Sequence, residues 1–178
     1  MLSELEQYST IALYSAMIVY SIAFVFYAVD LANRSGDAVT ASTGSTAVKQ
    51  PRSRSLRIGF SLTVLGFILH LAATILRGIG AERVPWANMY EFALTGTMLI
   101  VAVYLVVLFR YDLRFLGTFI TGLVVVLLGG VMLGGLYVEV VPLMDPLKSV
   151  WLVIHVFVAS LATALFALAF GLSVLQLM

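Results

Sequence analysis

The stretch MYEFALTGTMLIVAVYLVVLF, Met89–Phe109, carries one charge, Glu91 near its start, and is apolar at nearly every position after it. A helix rises 1.5 Å per residue, so about 20 such residues cross the hydrocarbon core of a bilayer. Four further runs share this character: Ile11–Ala32, broken by Ser15, Ser21 and Asp30; Ile58–Leu76; Phe115–Val138; and Val150 onward to Met178. Composition agrees, with 62% hydrophobic and 11% charged residues and a mean hydropathy of +1.08. Soluble domains are about 45–50% apolar and about 25% charged. The sequence therefore predicts an all-α, polytopic transmembrane bundle of about five membrane-spanning helices. Glu4 and Glu6 precede the first run where a signal peptide carries basic residues, and the run is too long for one. It reads as a retained span.

Charge and cysteine content narrow the chemistry. The net charge of +1 supplies no basic stripe for nucleic acid. Cysteine is absent, which excludes disulfides, thiol catalysis, iron–sulfur clusters and covalent haem attachment to this chain. Arg34, Lys49, Arg52, Arg54 and Arg57 separate the first two runs, and Arg110 and Arg114 separate the third and fourth. An alternating chain puts all seven on one side, and basic loops stay cytoplasmic. The expected topology has the N-terminus, the 77–88 loop and the 138–149 loop facing outward. No carboxylate–basic network is apparent within the spans, which speaks against a transporter.

Three segments follow: residues 1–33 as the first transmembrane helix, 34–55 as a linker, and 56–178 as a four-helix transmembrane region. The linker, RSGDAVTASTGSTAVKQPRSRS, is rich in Ser, Thr, Ala and Gly and lacks aromatics. It reads as a flexible cytoplasmic segment whose basic end serves as a topological anchor or rests on anionic lipid. The fourth run holds Gly117, Gly122, Gly129, Gly130, Gly134 and Gly135. Gly130 and Gly134 form a G-x-x-x-G pair, read as close helix packing or as room for a flat ligand.

The outward loops carry most of the functional signal. In VPWANMYEF, Val84–Phe92, Asn88 and Glu91 fit a helix N-cap and its capping-box partner, with Glu91 bonding back to the Asn88 backbone. Trp86 and Tyr90 suit an interfacial aromatic belt. Asp145-Pro146 fits a helix start. Trp151 and His155 follow, four apart and so on one helical face. The chain has two histidines. His155 lies five residues past Val150 and His70 seven before Arg77, so each sits roughly 8–10 Å inside the outer boundary at the helical rise. Ionisable residues in spans are rare and often functional. Two imidazoles at one depth are a possible pair of haem-iron ligands. A span histidine is also accommodated by bonding a hydroxyl or carbonyl of a neighbouring helix.

Val84–Phe92 resembles the P-x-x-N-x-Y-E segment of the CcsA family. PLMDPLKSVWLVIHV, Pro142–Val156, resembles that family's P-L-x-P-x-L-x-S-x-W-L-x-I-H-V pattern. This family, also called ResC or CcsB, comprises the haem-handling membrane proteins of system II cytochrome c biogenesis. The likeness runs from about Ser55 to the C-terminus. It implies a component of a cytochrome c synthase system, not a self-contained catalyst, that carries haem b outward as a transient substrate and presents it to apocytochrome c. It further implies a companion ResB-like membrane protein, and a multi-pass place in a bacterial plasma membrane with the N-terminus outside, or in a thylakoid membrane for a plastid protein. His155 matches the first of the family's two outward haem-ligating histidines. His70 matches a membrane histidine proposed to hold haem in transit, and Trp151 and Trp86 are the flanking aromatics. The family's second outward histidine and its WWD segment have no counterpart before Met178. The last run lacks a polar stop, so the natural chain is expected to continue. Two other functions fit the same residues: a structural or assembly subunit of a respiratory membrane complex without haem, and a bis-His haem b or quinone site built from His70 and His155.

Overall fold

The computed structural model describes residues 2–41, 54–140 and 148–177. Its five long helices are α1 (Leu2–Ala41), α2 (Arg54–Ala81), α3 (Met89–Arg110), α4 (Gly117–Leu133) and α5 (Val150–Leu177), with a 3-10 turn, Arg114–Leu116, leading into α4. All five are long and apolar enough to cross a membrane. The chain is a multi-pass helical membrane protein, as its apolar runs predict. Helix α1 continues past residue 33 to Ala41, eight residues into the segment read as a linker. Residues 42–53 of that segment, and the expected Asp145-Pro146 helix start, lie outside the described residues.

Helices α1 and α2 form the most extensive contact in the bundle. The buried positions of α1 are Ser9, Leu13, Ala16, Tyr20, Ala23, Tyr27 and Asp30. Those of α2 include Leu56, Gly59, Thr63, Gly66, His70, Ala73 and Arg77. Both series step by four and three, the 3.5-residue repeat that keeps one seam of a helix facing its partner. Large residues on α1 meet small ones on α2, running antiparallel. The Tyr27 ring covers Gly59 and the Tyr20 ring covers Gly66, while Ser9 Oγ donates to Ala73 O at 2.8 Å. Lipid supplies no hydrophobic drive for helix association, so intimate packing of this kind holds the pair.

Helix α3 packs against α2, α4 and α5. Helix α4 packs on α1 and α3 through Gly117, Ile120, Thr121, Val124 and Leu128. Several hydroxyls in the spans bond the carbonyl one turn back, as Thr63 does to Gly59 O and Thr121 to Gly117 O. Such bonds satisfy these hydroxyls within their own helix. Helix α5 flanks α3 and keeps a broad exposed face that includes Phe166 and Phe170.

Helix α4 stops at Leu133, five residues short of the Val138 expected from hydropathy. Gly135, at φ +66°, supplies the left-handed residue of a Schellman motif. Leu136 N donates to Val131 O at 3.1 Å and Gly135 N to Met132 O at 3.4 Å. Hydropathy cannot register this stop, because the residues after it are as apolar as those before. The expected G-x-x-x-G packing is also corrected. Gly134 is the C-cap of α4, and a side chain at Gly130 would meet nothing within 4 Å. The glycines of α4 that take a close neighbour are Gly117, under Tyr27, and Gly122, under Phe24.

Candidate functional site

One end of the bundle gathers the start of α1, the end of α2, the 82–88 loop, the start of α3, residues 134–140 and the start of α5. There the structure builds a buried ionic cluster that hydropathy and loop charge did not reveal. Arg77 is 1% exposed. Its Nε donates to Glu91 Oε1 at 3.1 Å, its Nη1 to Glu6 Oε1 at 2.7 Å and its Nη2 to Val138 O at 2.6 Å. Arg83 Nη1 donates to Glu91 Oε2 at 2.6 Å. Val140 N–H and the Tyr137 hydroxyl add bonds to Glu6 Oε1. The Arg77 guanidinium also sits 5.2 Å from the Tyr90 ring centroid and 5.7 Å from that of Tyr137. Two cations thus balance two carboxylates, and each Arg77 nitrogen has an acceptor, the condition under which a buried pair is tolerated. The helix ends assist, because Arg77 lies near the C-terminus of α2 and Glu91 in the first turn of α3.

Three sequence expectations are corrected by this cluster. A carboxylate–basic network does exist, at the ends of the spans. Tyr90 is 1% exposed and stacks against Arg77, so it does not belong to an interfacial belt. Half of the capping box forms: Glu91 N donates to Asn88 Oδ1 at 2.8 Å. The return bond comes from Ala87 N to Glu91 Oε2 at 3.0 Å, not from Asn88 N, because two arginines fix the carboxylate. The turn after α2 aims Arg83 back at Glu91 through a second Schellman motif, with Glu82 at φ 51° and Arg83 N donating to Gly78 O. Thr95 Oγ1 pins the loop by donating to Pro85 O at 2.6 Å.

The two histidines sit in opposite surroundings, and the structure does not bring them together. His70 is fully buried between α1 and α3. Its Nε2 lies 3.0 Å from Leu94 O, and the Tyr20 ring stands edge-on at 6.0 Å between centroids. Carbonyl bonding of this kind is the structural accommodation open to a span histidine. His155 is exposed on the flank of α5 and makes no hydrogen bond to a described residue. Trp151, one turn earlier on the same face, is 80% exposed. Trp86 is half-buried and lines a cleft of about 440 Å³ between the 82–88 loop and α5, together with Thr74, Thr95, Val153, Ile154 and Phe157. That cleft is apolar and abuts the turn of α5 that carries His155. No group of three metal-ligating residues occurs among the described residues.

Fold and site together define a five-helix membrane bundle whose one end is locked by a buried ionic cluster beside an exposed Trp–His face. Comparison with family models, with curated proteins and with solved structures gives no match to this chain.

Proposed function

We propose that this chain is a membrane haem-handling component of cytochrome c maturation, of the CcsA type, with haem as its transient substrate. The observation that carries the reading is the exposed imidazole of His155 on an apolar helix, with no hydrogen bond to a described residue. A polar ring facing hydrocarbon is costly unless something covers it. A haem edge is a fitting cover, since the iron takes the imidazole nitrogen and the macrocycle takes the apolar face beside Trp151. The ionic cluster then acts as a clamp, holding the 82–88 loop and residues 134–140 at the end of the bundle where α5 begins. Trp86 and its cleft extend the apolar surface towards α5.

In this reading His155 supplies one axial ligand, and the chain does not close a bis-His pair. His70 keeps a packing role, because its ring, Nδ1 included, is fully buried against Tyr20 and Leu94 and faces no opening. The partners would be apocytochrome c and a ResB-like companion in the same membrane, and the support for them is the two motifs alone. Haem titration of the detergent-purified chain, followed by visible absorption, tests the reading. A saturable spectrum of a histidine-ligated haem is expected, with added imidazole converting it to a six-coordinate form. A chain that leaves the haem spectrum unchanged supports an assembly subunit without haem instead.

A further inference from the structure

The end of the bundle remote from Arg77 carries a second feature, independent of the haem reading. Helices α2 and α3 touch where His70 meets Leu94 O. Nearer the start of α2 they leave a groove of about 460 Å³, walled by Phe60, Val64 and Phe67 on one side and Ala102, Val106 and Phe109 on the other. Val106 and Phe109 are exposed, so the groove opens on the flank of the bundle, where hydrocarbon surrounds it. Arg114 is the one charged residue in its lining. The Arg114 guanidinium lies 4.8 Å over the Phe60 ring, and its Nε is 3.4 Å from Asp112 Oδ1.

We propose that this groove is a binding site for one anionic phospholipid, with an acyl chain between α2 and α3 and the headgroup phosphate on Arg114. Charge complementarity selects the occupant. Arg54, Arg57 and Arg110 stand at the same end as Arg114, and the acidic side chains described there are Asp30 and Asp112. A net-neutral lipid fills the groove equally well but leaves that positive field uncompensated. Arg114 is three-quarters covered, so water and salt screen its charge less than they screen an exposed arginine. Asp112, more than half exposed, competes with the phosphate for the guanidinium.

The test is native mass spectrometry of the full chain in mild detergent, delipidated and offered equimolar phosphatidylglycerol and phosphatidylcholine. One retained lipid is expected, with phosphatidylglycerol favoured about tenfold or more. Arg114→Gln should reduce that preference to about twofold. Val106→Trp, or Ala102→Phe from the same wall, should abolish retention of both lipids while Arg114 stays in place. Asp112→Asn should strengthen retention. Circular dichroism checks that each variant keeps its helices. Equal retention of the two lipids overturns the choice of an anionic occupant, and an unchanged preference in Arg114→Gln overturns the contact with Arg114. Retention that survives both groove-filling variants overturns the acyl site. Displacement of the lipid by equimolar inorganic phosphate reduces the site to a surface anion contact and overturns the proposal as well.

Discussion

Replacing Arg77 by Met removes the cation at the centre of the ionic cluster while keeping most of the side-chain volume. Three hydrogen bonds disappear, to Glu91, Glu6 and Val138 O. Bonds that involve a charged group contribute about 1.5–3 kcal/mol each, and orphaning one partner of a buried pair costs about 3–5 kcal/mol in total. Two features moderate the loss. Glu91 keeps Arg83 and the Ala87 N–H, and Glu6 keeps the Val140 N–H and is 22% exposed. The expected destabilisation is therefore in the lower part of the range, about 3–4 kcal/mol, or more than a hundredfold in the folding equilibrium at 1.4 kcal/mol per decade. Equilibrium unfolding in mixed micelles, titrated with a denaturing detergent and followed by circular dichroism, measures it. Arg77→Met combined with Glu91→Gln should cost less than the sum of the single changes by about 1 kcal/mol or more, since each single change strands the other's charge. A cost under about 1 kcal/mol, with additive behaviour in the double variant, would refute the assignment of Arg77 as the clamp.

Other substitutions test separate parts of the account by the same unfolding measurement. A Cβ at Gly66 would lie 2.7 Å from the fully buried Tyr20 ring, so Gly66→Ala should cost about 1–3 kcal/mol. Gly129→Ala, with open space around it, should be neutral or stabilising by up to about 1 kcal/mol. Equal effects at the two positions would contradict the Tyr-on-Gly seam. Glu82→Gly relieves a left-handed residue at the end of α2 and should stabilise by about 1 kcal/mol. Asn88→Ala removes the cap of α3 and should cost about 1 kcal/mol. An unchanged midpoint would show that Glu91 and its arginines hold that helix end alone.

The number of helices and their apolar cores were legible because a span is a local property of about twenty residues. The N-cap at Asn88 was legible for the same reason. The clamp was not, since Glu6 reaches Arg77 and Val140 across 71 and 134 positions of sequence. A hydropathy scan treats charges at the ends of spans as boundaries, so it does not register Arg77 and Arg83 as partners of Glu91. Matching spacings carry a signal for the α1–α2 seam: Tyr20 and Tyr27 on α1 and Gly59 and Gly66 on α2 are each seven apart. The early end of α4 had a signal as well in the Gly134-Gly135 pair, whose left-handed turn is invisible to any average over apolar residues. The contrast between the two histidines depends on which helices lie beside α2 and α5, and no local pattern encodes that.

The claim that His155 is presented for haem is tested most directly by haem titration of three chains: the unmodified protein, His155→Ala and His70→Ala. His155→Ala should lose the saturable haem spectrum and regain it with added imidazole. His70→Ala should retain haem binding and lose only stability, in line with a buried ring bonded to Leu94 O. Haem binding that survives in His155→Ala, or that disappears with His70→Ala in a chain still folded, would contradict the account.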